Sequence, residues 1–369
     1  MQKKITTRQL LLVITLSILT LKVLFLPNVL ATNFGRDGYI FLFVLLVVDF
    51  GTLLIFIYLI NKYKDMTFVQ ILEKFFGKVI AKIILVLLFL YFIINIWTRF
   101  QTNYIYLNEN LYTSLNWYTF AFPIIVVVLF CLKQGLNAFA RLSEFFVPII
   151  IGGFIVALIV GVIRADFSNA LPILQNGLEM FKLTKQYPLW FGDYMFFIAF
   201  FGQIKVEKGF NKKVILWTLG VIASITLFDA VFYFTYNYNS VCHTNAISDI
   251  MQFLPSVSDI GSFDWILIMI WDVALFLDLT LSALASMYCF KNAFTKKGEL
   301  IVAGIVLLLI LLFNYLITFN VYLTINIAQN YLWIFIALMQ VALPLIMLIF
   351  ALFKNKKKEV NKNEVPSEK

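Results

Sequence analysis

Residues 10–31 read LLLVITLSILTLKVLFLPNVLA, an apolar run of about 22 residues that contains Lys22 and Pro27. A helix of this length, at about 1.5 Å per residue, crosses a bilayer core of about 30 Å. A lysine in mid-membrane costs at least about 2.5 kcal/mol, and a proline removes a backbone donor and crowds the preceding turn. A helix that only anchored the protein would need neither residue. We therefore interpret the run as a wall of a polar pocket buried in the membrane; a kinked helix with a neutralised lysine is the alternative.

The composition is that of a polytopic membrane protein. Of its 369 residues, 62% are hydrophobic and 13% are charged, whereas a soluble domain is nearer half apolar and one quarter charged. The net charge of +9 sits between apolar runs and in the C-terminal tail, which argues for lipid contact and against nucleic acid. Three cysteines and one histidine show no metal-ligand spacing, and no nucleotide or hydrolase motif occurs. We expect no metal, no cofactor and no enzymatic activity.

Ten apolar runs predict ten transmembrane helices. They fall at about 10–31, 38–60, 79–98, 118–132, 136–163, 188–204, 214–235, 264–290, 300–319 and 331–353. If both termini are cytoplasmic, 23 of the 29 lysines and arginines lie on the inner side and five on the outer side, as the positive-inside rule requires. Residues 65–77 between the second and third runs have apolar residues at helical spacing, which predicts an amphipathic helix along the inner surface.

The runs divide into two sets of five with opposite orientation. Such inverted repeats are common in transporters, whose binding sites lie where discontinuous helices meet at corresponding positions. The first run has Pro27 and the sixth has Pro188 and Gly192. We predict one membrane domain over residues 1–353, with repeats at about 8–163 and 188–353. Residues 354–369 are predicted to form a disordered, basic cytoplasmic tail.

Lys22 and Asp49 lie at similar depths in the first and second runs and are candidates for an ion pair. An ionisable residue inside a membrane is by default a functional-site hypothesis. In the functional interpretation, Lys22 is a fixed or proton-linked charge beside a substrate carboxylate, and Thr20 and Leu24 flank it as ligand contacts. A purely structural ion pair fits the sequence equally well.

Gly192 and Asp193 in the sixth run predict a second half of the same pocket. Glycine allows the helix to unwind, and backbone N–H groups freed in this way can hold a ligand carboxylate. The carboxylate of Asp193 would then meet an amino group of the ligand. The alternative is that Asp193 caps the start of a helix.

Three further features are candidate pocket, ion-pair or gating groups. Tyr91, Asn95 and Arg99 recur every fourth residue in one polar stripe, which lines either a pocket or a helix–helix contact. Arg141 and Glu144 share one helix face and are interpreted as a structural pair or inner gate. Asp272 and Asp278, beside Trp271, point about 120° apart on a helix, so they are not a catalytic carboxylate pair, although one can face the pocket.

Several motifs in order make the chain resemble the B subunits of spore germinant receptors, the GerAB-type spore permeases of the amino acid–polyamine–organocation superfamily. They are ITTRQL at 5–10, FLP at 25–27, NFGRDG at 33–38, GLNAFARLSE at 135–144 followed by Pro148, Leu171-Pro172 with Gly177, Gly192-Asp193 and Trp271. The chain departs from the family in two places. The stretch SILTLK at 17–22 lacks the usual glycine and adds a lysine, and Asp193 stands where the family often has Glu.

The resemblance implies a LeuT-like fold and a subunit in the inner membrane of a dormant spore that binds a small germinant, usually an amino acid. It also implies two partners, an A subunit with a large soluble part and a lipoprotein C subunit. We therefore expect a germinant-sensing receptor subunit. A proton-coupled secondary amino-acid transporter, with Lys22, Asp49 or Asp193 titrating, is the alternative. The two departures indicate a ligand other than a simple neutral amino acid.

Overall fold

The computed structural model describes residues 4–110, 116–175, 177, 187–254, 256–257, 261–262, 264–294, 303–305, 308, 312 and 331–363. Over these residues the fold is helical apart from a two-residue ladder, in which β1 (Ser256–Val257) pairs antiparallel with β2 (Gly261–Ser262), and one bridge between Ile5 and Ile204. The helices are α1 (Thr7–Lys22), α2 (Leu26–Phe34), α3 (Gly38–Lys62), α4 (Phe68–Asn110), α5 (Trp117–Gln134), α6 (Leu136–Arg164), α7 (Phe197–Phe200), α8 (Phe210–Tyr236), α9 (Ala246–Met251), α10 (Asp264–Phe294), α11 (Trp333–Ala337) and α12 (Leu343–Asn363).

Six helical segments in the described residues are long and apolar enough to cross a membrane. They are Leu26–Lys62, Phe68–Glu109, Leu136–Arg164, Phe210–Cys242, Trp265–Phe294 and Trp333–Phe353, and a shorter apolar helix covers Thr119–Gln134. Their outward faces carry large apolar side chains; Val79, Phe122 and Ile163 are 71–73% exposed. Such faces are stable only against lipid. The chain is a multi-pass membrane protein.

Helix α1 lies at the centre of the molecule. Thirteen of its 16 residues are buried, and it packs against α6, α8 and α10. A helix that is apolar on all sides is buried in protein or in lipid, and α1 is buried in protein. At its start, Thr6 and Gln9 form a reciprocal capping box, which satisfies backbone donors that the first turn leaves free.

The first and sixth apolar runs are both interrupted, as predicted. Helix α1 ends at Lys22, and α2 begins at Leu26 with Pro27 in its first turn. In the sixth run, Pro188–Trp190 forms a single 3₁₀ turn, Phe191 is extended and Gly192 has φ +86°. Regular helix returns only for the four residues of α7. Proline and glycine together explain why this apolar run does not form one continuous helix.

Two helices, α4 and α12, extend beyond the predicted boundaries. Helix α4 bends at Gly77, which has φ +81°, so the predicted amphipathic segment is helical and separate from the span that follows. That span continues to Asn110 rather than ending at 98, and Arg99, Asn103 and Tyr106 in the extension are buried. Helix α12 continues to Asn363, into the predicted disordered tail. Most of the ninth run, 300–319, lies outside the described residues.

Gly161 allows α6 to pack closely against α8. A Cβ at this position would lie 2.7 Å from Cγ1 of Val231 and 3.5 Å from Cδ1 of Ile250. Valine in a helix has essentially one χ1 rotamer, so it cannot turn away. We expect Gly161→Ala to lower the free energy of unfolding by about 1–3 kcal/mol, the usual cost of overpacking.

The matched control is Gly152→Ala on the same helix, where no heavy atom lies within 4 Å of the added Cβ. There the substitution gains helix propensity of up to about 1 kcal/mol. Both variants are compared by unfolding in mixed detergent and SDS micelles. Equal stability of the two would show that α6 and α8 do not pack through Gly161.

Candidate functional site

The two interrupted runs meet at a buried ion pair. The ammonium of Lys22, at the end of α1, contacts the carboxylate of Asp193, and the two side chains are only 1% and 4% exposed. The Nζ atom of Lys22 also lies 4.8 Å from the centroid of the Phe191 ring, within the range of a cation–π contact. The pair therefore ties the break in the first run directly to the break in the sixth.

The predicted pairing of Lys22 with Asp49 is wrong. Asp49 in α3 instead accepts hydrogen bonds from the backbone N–H groups of Gly192 (3.2 Å) and Asp193 (3.3 Å). The break in the sixth run brings Asp193 into contact with Lys22. The positions of residues along each apolar run do not predict this contact. The unwound backbone thus binds the carboxylate of Asp49, a side chain of the chain itself, and its binding of a ligand carboxylate stays a prediction.

The polar stripe of α4 extends the site towards α10. The Nε–H of Arg99 donates to Asp278 (2.7 Å), and its Nη1 donates to Oδ1 of Asn95 (2.9 Å). Asn95 in turn donates to the backbone carbonyl of Tyr91 (2.9 Å). Arg99 is 8% exposed, so its charge is buried among the helices. Asp278 is the acid of the α10 pair that faces the site.

Gln340 and Ser17 are site residues that the sequence analysis missed. The Nε2 of Gln340 lies 2.6 Å from the carbonyl of Phe191 and 2.9 Å from that of Pro188. The carbonyl of Pro188 also accepts from the N–H of Phe191 (3.2 Å) within the 3₁₀ turn. For the carbonyl of Phe191, the amide replaces a backbone hydrogen bond that the broken helix does not make. Ser17 donates to the carbonyl of Asp193 (2.9 Å). Gln340 could have been identified from the sequence, because it is a lone glutamine in the apolar run 331–353.

A cavity of about 10 Å³, which holds about one water molecule, lies between the unwound backbone at Gly192 and Asp193 and the polar stripe of α4. It is lined by Ser17, Tyr91, Phe92, Asn95, Arg99, Gly192, Asp193, Phe196, Asp278, Leu281 and Ser282. Its lining combines acidic, basic and amide groups in a fully buried place. The described conformation is closed, and a ligand of amino-acid size would require the surrounding helices to separate.

The remaining predicted ligand contacts lie around this centre. The hydroxyl of Thr20 donates to the carbonyl of Leu16 within its own helix, and the carbonyl of Leu24 accepts from the N–H of Ala246 (2.9 Å). Trp271 is buried, and its indole N–H has no hydrogen-bond partner in the described part of the chain. One carboxylate oxygen of Asp272 is likewise buried and unpartnered there.

Arg141 and Glu144 do not form the predicted pair in the described residues. Glu144 accepts instead from the side-chain amide of Gln9 (3.0 Å), while Arg141 is exposed. The two share a helix face by spacing, but α1 lies close enough to take the glutamate. This contact joins the start of α1 to α6, away from the ion pair.

The segment after α8 covers the break in the first run. His243 stacks 3.7 Å from the ring centroid of Tyr236, and its Nδ1 lies 3.5 Å from Asp249. Burial raises the pKa of Asp249, and the nearby His243 partly offsets that rise. Helix α9 begins here with Ala246, whose N–H binds Leu24.

Among the described residues no three His, Cys, Asp or Glu side chains are placed to share a metal ion.

Arg99 bridges α4 and α10, and we expect Arg99→Gln to lower the free energy of unfolding by about 3–5 kcal/mol because Asp278 is left buried without its charge partner. Arg141→Gln is the matched control. This arginine is exposed, so its loss should change stability by no more than about 0.5 kcal/mol. Both are measured by unfolding in SDS-containing micelles. Similar stability of the two variants would contradict a bridging role for Arg99.

Comparison with known proteins adds two findings. A family model described as Spore_permease, spore germination protein, matches residues 4–322. The match contains both helix breaks, Asp49, the polar stripe and Asp278, but it ends before Gln340. No curated protein matches the chain.

Proposed function

We propose a function from one established premise: the chain belongs to the spore permease family of spore germination proteins. It is a permease-like membrane protein of spore germination. We infer that it is a germinant-sensing subunit in the spore inner membrane, that it binds a small nutrient between its two helix breaks, and that it passes the signal to partner subunits. The observation that supports this most is the charged centre formed by Lys22, Asp193 and Asp49.

The chemistry of that centre suits a zwitterion. Asp193 presents a buried carboxylate that already binds one ammonium, and the N–H groups of Gly192 and Asp193 already bind one carboxylate. An amino acid carries both of these groups on one carbon. Charged hydrogen bonds inside a low-dielectric site are about twice as strong as neutral ones, so a ligand that satisfies both would be selected by its head group.

A closed cavity suits a sensor that works by changing shape. The cavity beside Asp193 holds about one water, so a nutrient can bind there only in a conformation in which the helices around it are further apart. Ligand binding would shift the population towards that conformation. We propose that an A subunit with a large soluble part and a lipoprotein C subunit respond to the shift, and that ten spans in two inverted halves form the moving bundle.

The second candidate function is a proton-coupled amino-acid transporter. It is supported by the buried acids Asp49 and Asp193, because the carboxylate of Asp49 accepts from the backbone N–H of Asp193 itself (3.3 Å). Two carboxylates so close to each other are suited to share or exchange a proton. Net movement of solute is what distinguishes this function from sensing.

The deciding experiment uses spores that lack only this gene. We expect them to lose germination with one class of nutrient in a panel of amino acids, sugars and ions, while the other nutrients still act. Pull-down of the tagged chain should recover a lipoprotein and a larger membrane partner. Proteoliposomes with the purified chain should not accumulate labelled amino acid under a pH gradient. Normal germination with every nutrient, or accumulation of the labelled amino acid, would overturn the sensing function.

A further inference from the structure

We propose that the side chain of Lys22 is a tethered occupant of a primary-amine site, and that this site accepts a free alkylammonium ion when the lysine side chain is removed. The proposal takes only the position of the site from the proposed function. It concerns binding by the isolated chain and holds whether or not the chain senses a nutrient.

The amine site has two walls of complementary chemistry. One is the carboxylate of Asp193, which contacts the lysine ammonium, and the other is the face of Phe191, whose centroid lies 4.8 Å from Nζ. A carboxylate and an aromatic face together bind a cation by charge and by the ring quadrupole. Both residues come from the interrupted sixth run, so the site is formed by one short segment.

The site is held in place by contacts that do not involve Lys22. The backbone N–H of Asp193 is bound by Asp49, and its carbonyl is bound by the hydroxyl of Ser17. The carbonyl of Phe191 is bound by Gln340. Removing the lysine side chain leaves all of these contacts intact. The carboxylate and the ring should therefore keep their positions, as a preorganised site requires.

The lysine reaches the site from the end of a helix. Lys22 is the last residue of α1, and its side chain is 1% exposed. The C-terminal end of a helix carries a partial negative charge that favours a cation nearby. An amine in this position is thus favoured by the helix end, by Asp193 and by Phe191, and water does not compete for it.

The geometry also defines which amine fits. Lys22→Ala removes three methylene carbons and one nitrogen, which are the heavy atoms of propylammonium. The adjacent cavity adds room for about one water, too little for a quaternary ammonium ion. In the wild-type chain the tethered ammonium has an effective concentration on the order of mM or higher, so free amines should compete poorly.

The test measures thermal unfolding of the purified full-length chain in detergent micelles, with 20 mM propylammonium chloride or 20 mM tetramethylammonium chloride. We expect propylammonium to raise the unfolding temperature of Lys22→Ala by about 2 °C or more, as binding to the folded state alone requires. Wild type should not shift. Neither Lys22→Met, which refills the space, nor Lys22→Ala/Asp193→Asn, which lacks the carboxylate, should shift.

Lys22→Ala is also extracted from membranes with and without propylammonium, in case the empty site prevents folding. Recovery of folded protein only with propylammonium would support the site as directly as a thermal shift. An equal shift in the wild-type chain, an equal effect of tetramethylammonium, or no effect of propylammonium on either the unfolding or the recovery of Lys22→Ala would overturn it.

Discussion

Spores whose only copy of this gene carries Lys22→Ala are expected not to respond to the nutrient that this chain senses. The substitution leaves Asp193 buried and without its charge partner, and removing one partner of a buried ion pair costs about 3–5 kcal/mol. It also removes the ion pair that links the two helix breaks. Germination of the variant spores and unfolding of the purified chain in SDS-containing micelles are the two measurements.

The matched control is Lys205→Ala. Lys205 is 64% exposed and lies 3.6 Å from Glu207, and exposed pairs of this kind contribute about 0–1 kcal/mol. A double-mutant cycle with Asp193→Ala separates the pair from the rest of each side chain. The double variant should be more stable than the sum of the two single losses predicts. A normal response from Lys22→Ala, with stability like that of Lys205→Ala, would contradict a central role for the pair.

The positions of the two breaks could be predicted from the sequence because they depend on local chemistry. Pro27 and Pro188 cannot donate in a helix, and Gly192 can adopt a positive φ. Each effect acts within a few residues, so no knowledge of the tertiary fold was needed. The polar stripe of Tyr91, Asn95 and Arg99 was predictable for the same reason, because helical spacing alone aligns the three side chains.

Pairings between elements could not be predicted in this way. Similar depths along two apolar runs favoured Asp49 as the partner of Lys22. In the structure, the backbone N–H of Gly192 donates to the Asp49 carboxylate, and Lys22 pairs with Asp193 instead. Likewise, the side-chain amide of Gln9 on another helix donates to Glu144, which was predicted to pair with Arg141. Each choice depends on how helices distant in sequence cross, and hydrophobic periodicity does not contain that information.

Gly192→Ala is expected to abolish the response to the nutrient as well. Gly192 has φ +86°, and an added Cβ would lie 2.6 Å from Cγ and Cδ of Gln340. A non-glycine residue in such a conformation costs about 1–3 kcal/mol, and a forced contact in a packed interior adds about as much. The backbone would have to move, and Asp49 would lose the N–H groups that it accepts from. Nutrient-triggered germination and unfolding of the purified chain measure the effect.

Two controls separate the contributions at Gly192. Gly209 has φ +79° but no heavy atom within 4 Å of an added Cβ, so Gly209→Ala carries only the conformational cost of about 1–2 kcal/mol. Gln340→Ala combined with Gly192→Ala removes the contact and should restore part of the stability, although the carbonyls of Pro188 and Phe191 then lose the hydrogen bonds from the Gln340 amide. Equal stability and equal germination of Gly192→Ala and Gly209→Ala would contradict this prediction. The close contact of Gln340 with the unwound backbone would then not determine the geometry of the site.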